Sequence, residues 1–289
     1  MAEARYTLES PLSPTTWLAR DQHIDRPVCI VLDWTRAEGT SLKRLCEGLQ
    51  NVRSRNVIDI YDICDANGRL GLVCEHPPNS GIVASVADQK SKLQTGFARA
   101  NAICDLHRQQ ISHGSISDTC WSRDEENIMN LHGFSGSSRV GDATQQQQDL
   151  ADVKGLLLSI HWMPSIIGLK KRITEAGSAQ TLMDVMASEL LRDQHRALVM
   201  LAGSATVLDR TNRSIALTHP LGIATLTITY TGTHFVAEQV SGEVLVNNRP
   251  MEAQQMLPGA CVIALGLAHR SFRERYSISW EQSSPEIVQ

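Results

Sequence analysis

The 289-residue chain has no apolar run that could cross a bilayer; stretches such as GLLLSIHWM, after Lys154, fall far short of the ~20 residues required. The opening MAEARYTLES lacks the apolar centre of a secretion signal. Nor is there an excess of positive charge: 27 Lys and Arg against 31 Asp and Glu leave a net charge of −4 and an isoelectric point near 6.2. That balance argues against a general attraction to nucleic acid or to an anionic lipid surface. Also missing is any C-x-x-C pair. The seven cysteines (Cys29, Cys46, Cys64, Cys74, Cys104, Cys120 and Cys261) are odd in number and lie mostly within apolar runs, which reads as buried free thiols in a reducing compartment. A metal site built on Cys104, His107 and His113 would lack a fourth ligand. These absences lead to the expectation of a cytoplasmic protein without metal, membrane insertion or a nucleic-acid partner.

What is present is a globular composition, 42% hydrophobic and 20% charged, over a length that suits two domains. In the first ~80 residues, PVCIVLDW and LGLVCEH are strand-like, with a turn signal at Ala66-Asn67-Gly68 before the second. Between them Leu42, Leu45 and Leu49 form a helical stripe. From Gln94 the spacing of Phe97, Ala98, Ala102, Ile103 and Leu106 predicts an amphipathic helix ending near Arg108. QDLADVKGLLLSIHWM, apolar on nearly every side, predicts a buried helix. The aperiodic GFSGSSRVGDATQQQQ, Gly133 to Gln148, predicts a loop. Leu182, Val185, Met186, Leu190 and Leu191 make another helical stripe within a segment that reads as helical up to about Leu201. Beyond Ala202-Gly203-Ser204 the period becomes two: Ala224, Leu226, Ile228 and Tyr230 alternate with threonines, and Tyr276, Ile278 and Trp280 alternate with serines. A hairpin signal at Asn247-Asn248 and short strands at this spacing predict a β-sandwich. The expected fold class is α+β over residues 1–200, followed by an all-β domain over 205–289.

One stretch, QQISHGSISDTCW, has the rhythm of a catalytic loop but no carboxylate where a base would stand. A small sheet with one helix, followed by a helical lobe, is the layout of a protein kinase, and several segments resemble bacterial Ser/Thr kinases. TWLARDQHIDRPVCIVLDW resembles the second and third strands. RNVIDIYDICDANGRLGLVCEH resembles the segment running to the hinge at Glu75. ICDLHRQQISHGSISDTCW resembles the helix and H-R-D catalytic loop, NLHGFS the strand holding D-F-G, and DLADVKGLLLSI the buried helix that follows, with Asp152 at its acidic position. The resemblance runs collinearly over about residues 5–192. It implies a truncated helical lobe in which His113 and Asp152 keep structural roles, Asp152 accepting backbone N–H bonds from the catalytic loop. Asp118 and Asp124 read as solvated turn residues.

The same resemblance implies that the groups needed for phosphoryl transfer are gone. LESPLSPTTW carries no glycine for a phosphate-cradling loop. Val31 stands where the strand lysine belongs, Glu47 is about two residues out of register for its partner, Ser115 replaces the catalytic aspartate, Ser117 the following lysine, Cys120 the metal-binding asparagine and Leu131 the D-F-G aspartate. The expectation is a pseudokinase: not an enzyme, with no cofactor, and without ATP or magnesium.

The all-β part, from VLDRTNRSIAL through LPGACVIALG, resembles a forkhead-associated (FHA) domain over about residues 205–281. In that family, loop residues bind phosphothreonine peptides. Arg210 matches the arginine of the first loop, but Leu221 or Gly222, Ile223 and Gly242 stand at the other contact positions. The implied function is an adaptor or scaffold acting through protein partners. Kinase-like and FHA modules occur together in bacterial signalling and in regulation of secretion machines such as type VI secretion. The alternatives are a phosphothreonine reader using Arg210 and a divergent nucleotide-using enzyme. The basic stretch His269 to Arg275 is a further candidate contact surface.

Overall fold

The computed structural model describes residues 5–66, 68–76, 88–124, 126–138, 143–163, 168–201, 203–266 and 276–283. The chain is α+β and divides into two compact units, Met1–Ala187 and Ser188–Val288. No helix among the described residues is long and apolar enough to cross a membrane.

The first unit begins with a five-stranded antiparallel sheet in the order β1-β2-β3-β5-β4, from β1 (Tyr6–Pro11), β2 (Thr16–Asp21), β3 (Arg26–Trp34), β4 (Ile60–Ala66) and β5 (Arg69–Glu75). Helix α1 (Gly39–Gln50) joins β3 to β4 and buries Leu42, Leu45 and Leu49, the stripe predicted from their spacing. Period-two alternation gives β3 two faces. Val28, Ile30 and Leu32 pack with Ala19 and Val73, while Cys29 and Val31 face the other way. The turn into β5 uses Gly68 at φ +79°, a conformation that glycine adopts without penalty.

The helical part comprises α2 (Gln89–Arg108), a hairpin of β6 (Trp121–Arg123) and β7 (Met129–Leu131), α3 (Ala143–Ser159), α4 (Leu169–Glu175) and α5 (Ala179–Leu190). Asp88 caps α2 by accepting the Ser91 N–H at 2.9 Å, so the helix starts five residues before the apolar stripe becomes visible. The expected loop from Gly133 to Gln148 is shorter than predicted. Phe134–Gly136 is a 3-10 turn, and Ala143 to Gln148 already belong to α3. Those first turns are mostly exposed, and without a buried face they carry no apolar period. Helix α3 buries a single face through Asp149, Leu150, Val153 and Leu157 rather than its whole circumference.

The second unit holds β8 (Arg196–Leu201), β9 (Ser204–Leu208), β10 (Ser214–Thr218), β11 (Thr225–Tyr230), β12 (Phe235–Ser241), β13 (Val244–Val246), β14 (Arg249–Pro250), β15 (Ala260–Leu265) and β16 (Tyr276–Ser283). They form a three-stranded sheet, β10-β11-β12, and a six-stranded sheet, β14-β13-β15-β16-β8-β9. The two sheets enclose one core of Leu226, Ile228, Tyr230, Phe235, Ile263, Ile278 and Trp280, with Phe235 stacked on Tyr230 and edge-on to Trp280. Asn247 and Asn248 take φ +48° and +63°, which turns β13 into β14 as their sequence signalled. The boundary between units lies earlier than the expected 200/205. RALVML is strand β8, paired with β9 and β16, and not the continuation of a helix. Its alternation of buried Ala197 and Val199 with Leu198 and Met200 mimics neither period clearly, because Leu198 and Met200 are apolar yet face outward.

Candidate functional site

A cleft of about 400 Å³ opens in the first unit between the β1–β2 hairpin, the sheet and the segments around Ser115 and His132. Its floor is Cys29, Val31, Ile58 and Cys74; its walls carry Ser13, Thr15, Thr16, Ser115, Ser117, Thr119, Cys120, His132, Gly133 and Ser135. The floor follows from strand alternation, since Cys29 and Cys74 face each other across β3 and β5. Burial pushes the Cys29 thiol up to about 11 and that of Cys74 well above the ordinary range, so neither is a ready thiolate. His132 is part of the lining, and burial, with His113 beside it, pulls its ring down to about 4, leaving it uncharged at pH 7. Cys120 is held by local contacts, its Sγ 3.2 Å from the Ser115 carbonyl and 3.5 Å from Ser117 Oγ.

The loop beneath the cleft is tied to α3 by one carboxylate. Asp149, fully buried, accepts the N–H of His113 at 2.7 Å and that of Gly114 at 2.8 Å, and its Oδ2 lies 3.3 Å from His107 Nε2. The His113 ring is also buried, its Nε2 2.9 Å from the His132 carbonyl and its centroid 5.2 Å from that of the tilted Phe134 ring. Burial lowers its pKa below the usual histidine value. Gly114 sits at φ +84° against the Gly136 carbonyl, so a side chain there would be strained and would collide.

This arrangement corrects the role expected of Asp152. That residue is only partly buried and accepts a bond from Gln148 at 2.7 Å; the loop-holding carboxylate is Asp149, almost one helical turn earlier. Asp-Leu-Ala-Asp offers two aspartates three residues apart, and sequence alone does not say which of them faces inward. Leu131 is also corrected. It is fully buried in β7, exchanging backbone bonds with Asn56 and Ile58, and the cleft wall there is made by His132, Gly133 and Ser135. Val31, Ser115, Ser117 and Cys120 do line the cleft. Glu47 is exposed on α1 and is not part of the lining.

Asp118 is not a free turn residue: it accepts from the guanidinium of the buried Arg99 of α2 at 2.7 Å. Asp124 does belong to a turn, but is half-buried and accepts the Ile128 N–H at 2.8 Å and the Asn130 side-chain amide at 3.3 Å. Arg99 was missed because its neighbours Ala98 and Ala100 make the segment look like ordinary helix. Cys104 bonds Gln180, and His107 bonds Asp149, so both are engaged within the fold.

In the second unit Arg210 lies in the exposed loop entering β10, whose last residue, Arg213, accepts the Tyr230 N–H. Leu221, Gly222 and Ile223 lie past the far end of β10, where Gly242 approaches the Ile223 carbonyl. The four residue steps along β10 amount to about 13 Å, so Arg210 is not gathered with the other expected phosphopeptide positions. His269 to Arg275 lie outside the described residues.

No protein-family model matches the sequence, and no curated protein matches it. Among solved structures, a chain of the yeast RNA Pol II CTD kinase CTDK-1 complex is similar at a TM-score of 0.43 and 14% identity, over 55% of this chain and 62% of that one. The match therefore spans less than two thirds of that chain.

Proposed function

We propose that the chain is a non-catalytic module acting through protein contacts, with a protein-kinase-like first unit whose cleft has lost its charges and an FHA-like second unit. The observation that carries this reading is the cleft lining, which includes no lysine, arginine, aspartate or glutamate among the described residues. Phosphoryl transfer is mainly electrostatic: cations neutralise the phosphates, and carboxylates hold magnesium. A lining of hydroxyls, thiols and one neutral imidazole supplies neither.

Support for kinase-like ancestry comes from the sheet order β1-β2-β3-β5-β4 with α1 between β3 and β4, and from a histidine loop anchored by a buried aspartate. The brace around His113 is kept while the chemistry is absent, which is the pattern of a fold retained as a docking body. Phosphothreonine reading gains no support, because Arg210 stands apart from Gly222 and Gly242 by the length of β10.

Thermal unfolding followed with and without millimolar ATP and magnesium tests this reading. The expected result is an unchanged midpoint for the first unit. An increase of several degrees, or transfer of labelled phosphate to any acceptor, would overturn it.

A further inference from the structure

Edge strands invite pairing with other chains, and folded proteins guard them with bulges, charges, proline or a covering segment. Several edges among the described residues are guarded. Strand β1 has a bulge at Glu9 and ends in Pro11; β4 has a bulge and carries Asp62 and Asp65. Strand β14 is two residues long and includes Pro250. Strand β12 is bulged, and Gln254, Gln255 and Leu257 bond its outer side. On β9 the Val207 carbonyl is taken by the Asn212 side chain at 2.8 Å.

Strand β9 has no further device beyond that capped carbonyl, and strand β10 has none at all among the described residues. Its sequence, SIALT, has no charge and no proline, and its register with β11 runs without a bulge. The bonds Tyr230 N–H to Arg213 and His219 N–H to Ala224 fix the alternation of this hairpin. Residues 215 and 217 therefore point their backbone groups toward β11, while those of Ser214, Ala216 and Thr218 point away from the sheet. All three residues are exposed, and their backbone N–H and C=O groups have no partner among the described residues.

We propose that β10 pairs with β10 of a second copy of this chain, antiparallel about a twofold axis at Ala216. The sequence is self-complementary in that register. Ser214 lies opposite Thr218, and Ala216 lies opposite its own mate. Ile215, half-buried on the inner face, lies opposite the buried Leu217, so each copy extends the other's core stripe. The two three-stranded sheets join into one continuous sheet, and every free backbone group on β10 gains a partner. This inference does not depend on how the cleft is read.

Sedimentation velocity of the full chain across a concentration series tests it. A reversible monomer–dimer equilibrium is expected. Ala216→Pro removes only the outward N–H, which the β10–β11 hairpin does not use, and should weaken dimerisation about tenfold or more. Ala216→Lys, which guards the edge without altering the backbone, should do the same. Under mild oxidation Ala216→Cys should cross-link into a covalent dimer. Thr218→Cys should not exceed the wild-type background, because residue 218 and its mate would be about 13 Å apart, beyond disulfide reach. A chain that stays monomeric at all concentrations overturns the proposal, as does a dimer that survives both Ala216 substitutions or equal cross-linking by both cysteine variants.

Discussion

Replacing Asp149 with alanine is the perturbation that most directly tests how the His113 loop is held. The carboxylate is fully buried and accepts two backbone N–H bonds, at 2.7 and 2.8 Å, with His107 at 3.3 Å. Alanine leaves the buried His113 N–H and the part-buried Gly114 N–H without an acceptor, at about 1–3 kcal/mol each. The sum, about 2–6 kcal/mol, corresponds to a midpoint lowered by roughly 4–24 °C for a unit of this size. Asp152→Ala removes only a partly exposed bond to Gln148 and should stay within about 0.5 kcal/mol. The measurement is urea unfolding followed by far-UV circular dichroism, with equal m-values required before the free energies are compared. The reasoning fails if Asp152→Ala costs as much as Asp149→Ala, or if Asp149→Ala is neutral.

Gly114→Ala should cost more than about 2 kcal/mol, because it combines a positive φ with collision against the Gly136 carbonyl, whereas Gly222→Ala, at φ +70° in open space, should cost about 1 kcal/mol; chemical denaturation separates them. Asp118→Ala strips the buried Arg99 of its carboxylate and should destabilise the first unit by about 1–3 kcal/mol, with Arg99→Met in the same background recovering part of the loss in a double-mutant cycle. His132 is held near 4 against an ordinary 6.5, so the unfolded chain binds the extra proton in that window, and stability should fall as pH drops from about 6.5 to 4. His113 acts in the same direction, and His132→Gln should flatten part of this slope in unfolding measured across pH.

The elements with a clean period were legible: the leucine stripe of α1, the apolar face of α2, the alternation of β11 and β16, and the asparagine turn after β13. Misreadings occurred where period and burial part company. The exposed glutamine-rich start of α3 has no stripe to betray it. Strand β8 carries apolar residues on both faces and passed for helix. At the cleft, Val31, Ser115, Ser117 and Cys120 were named through the resemblance to kinase motifs and do line it, but Asp149 could not be distinguished from Asp152. That distinction depends on the rotation of α3 about its axis, which is set by packing of Leu150, Val153 and Leu157 rather than by local composition.

By itself the sequence determined the identity of the side chains at the cleft and the periodicities that build sheet, helix and sandwich, because both follow from local order along the chain. It also determined that valine stands at 31 and serine at 115, where a charged side chain would have changed the cleft. Only the tertiary structure decided which aspartate anchors the His113 loop, that Arg99 is buried against Asp118, that Arg210 stands a strand's length from Gly222, and that β10 leaves an unbulged, uncharged edge. Each of these is a relation between residues distant in sequence or on opposite sides of a strand. Burial and hydrogen-bond direction, which settle them, exist only once the chain has packed.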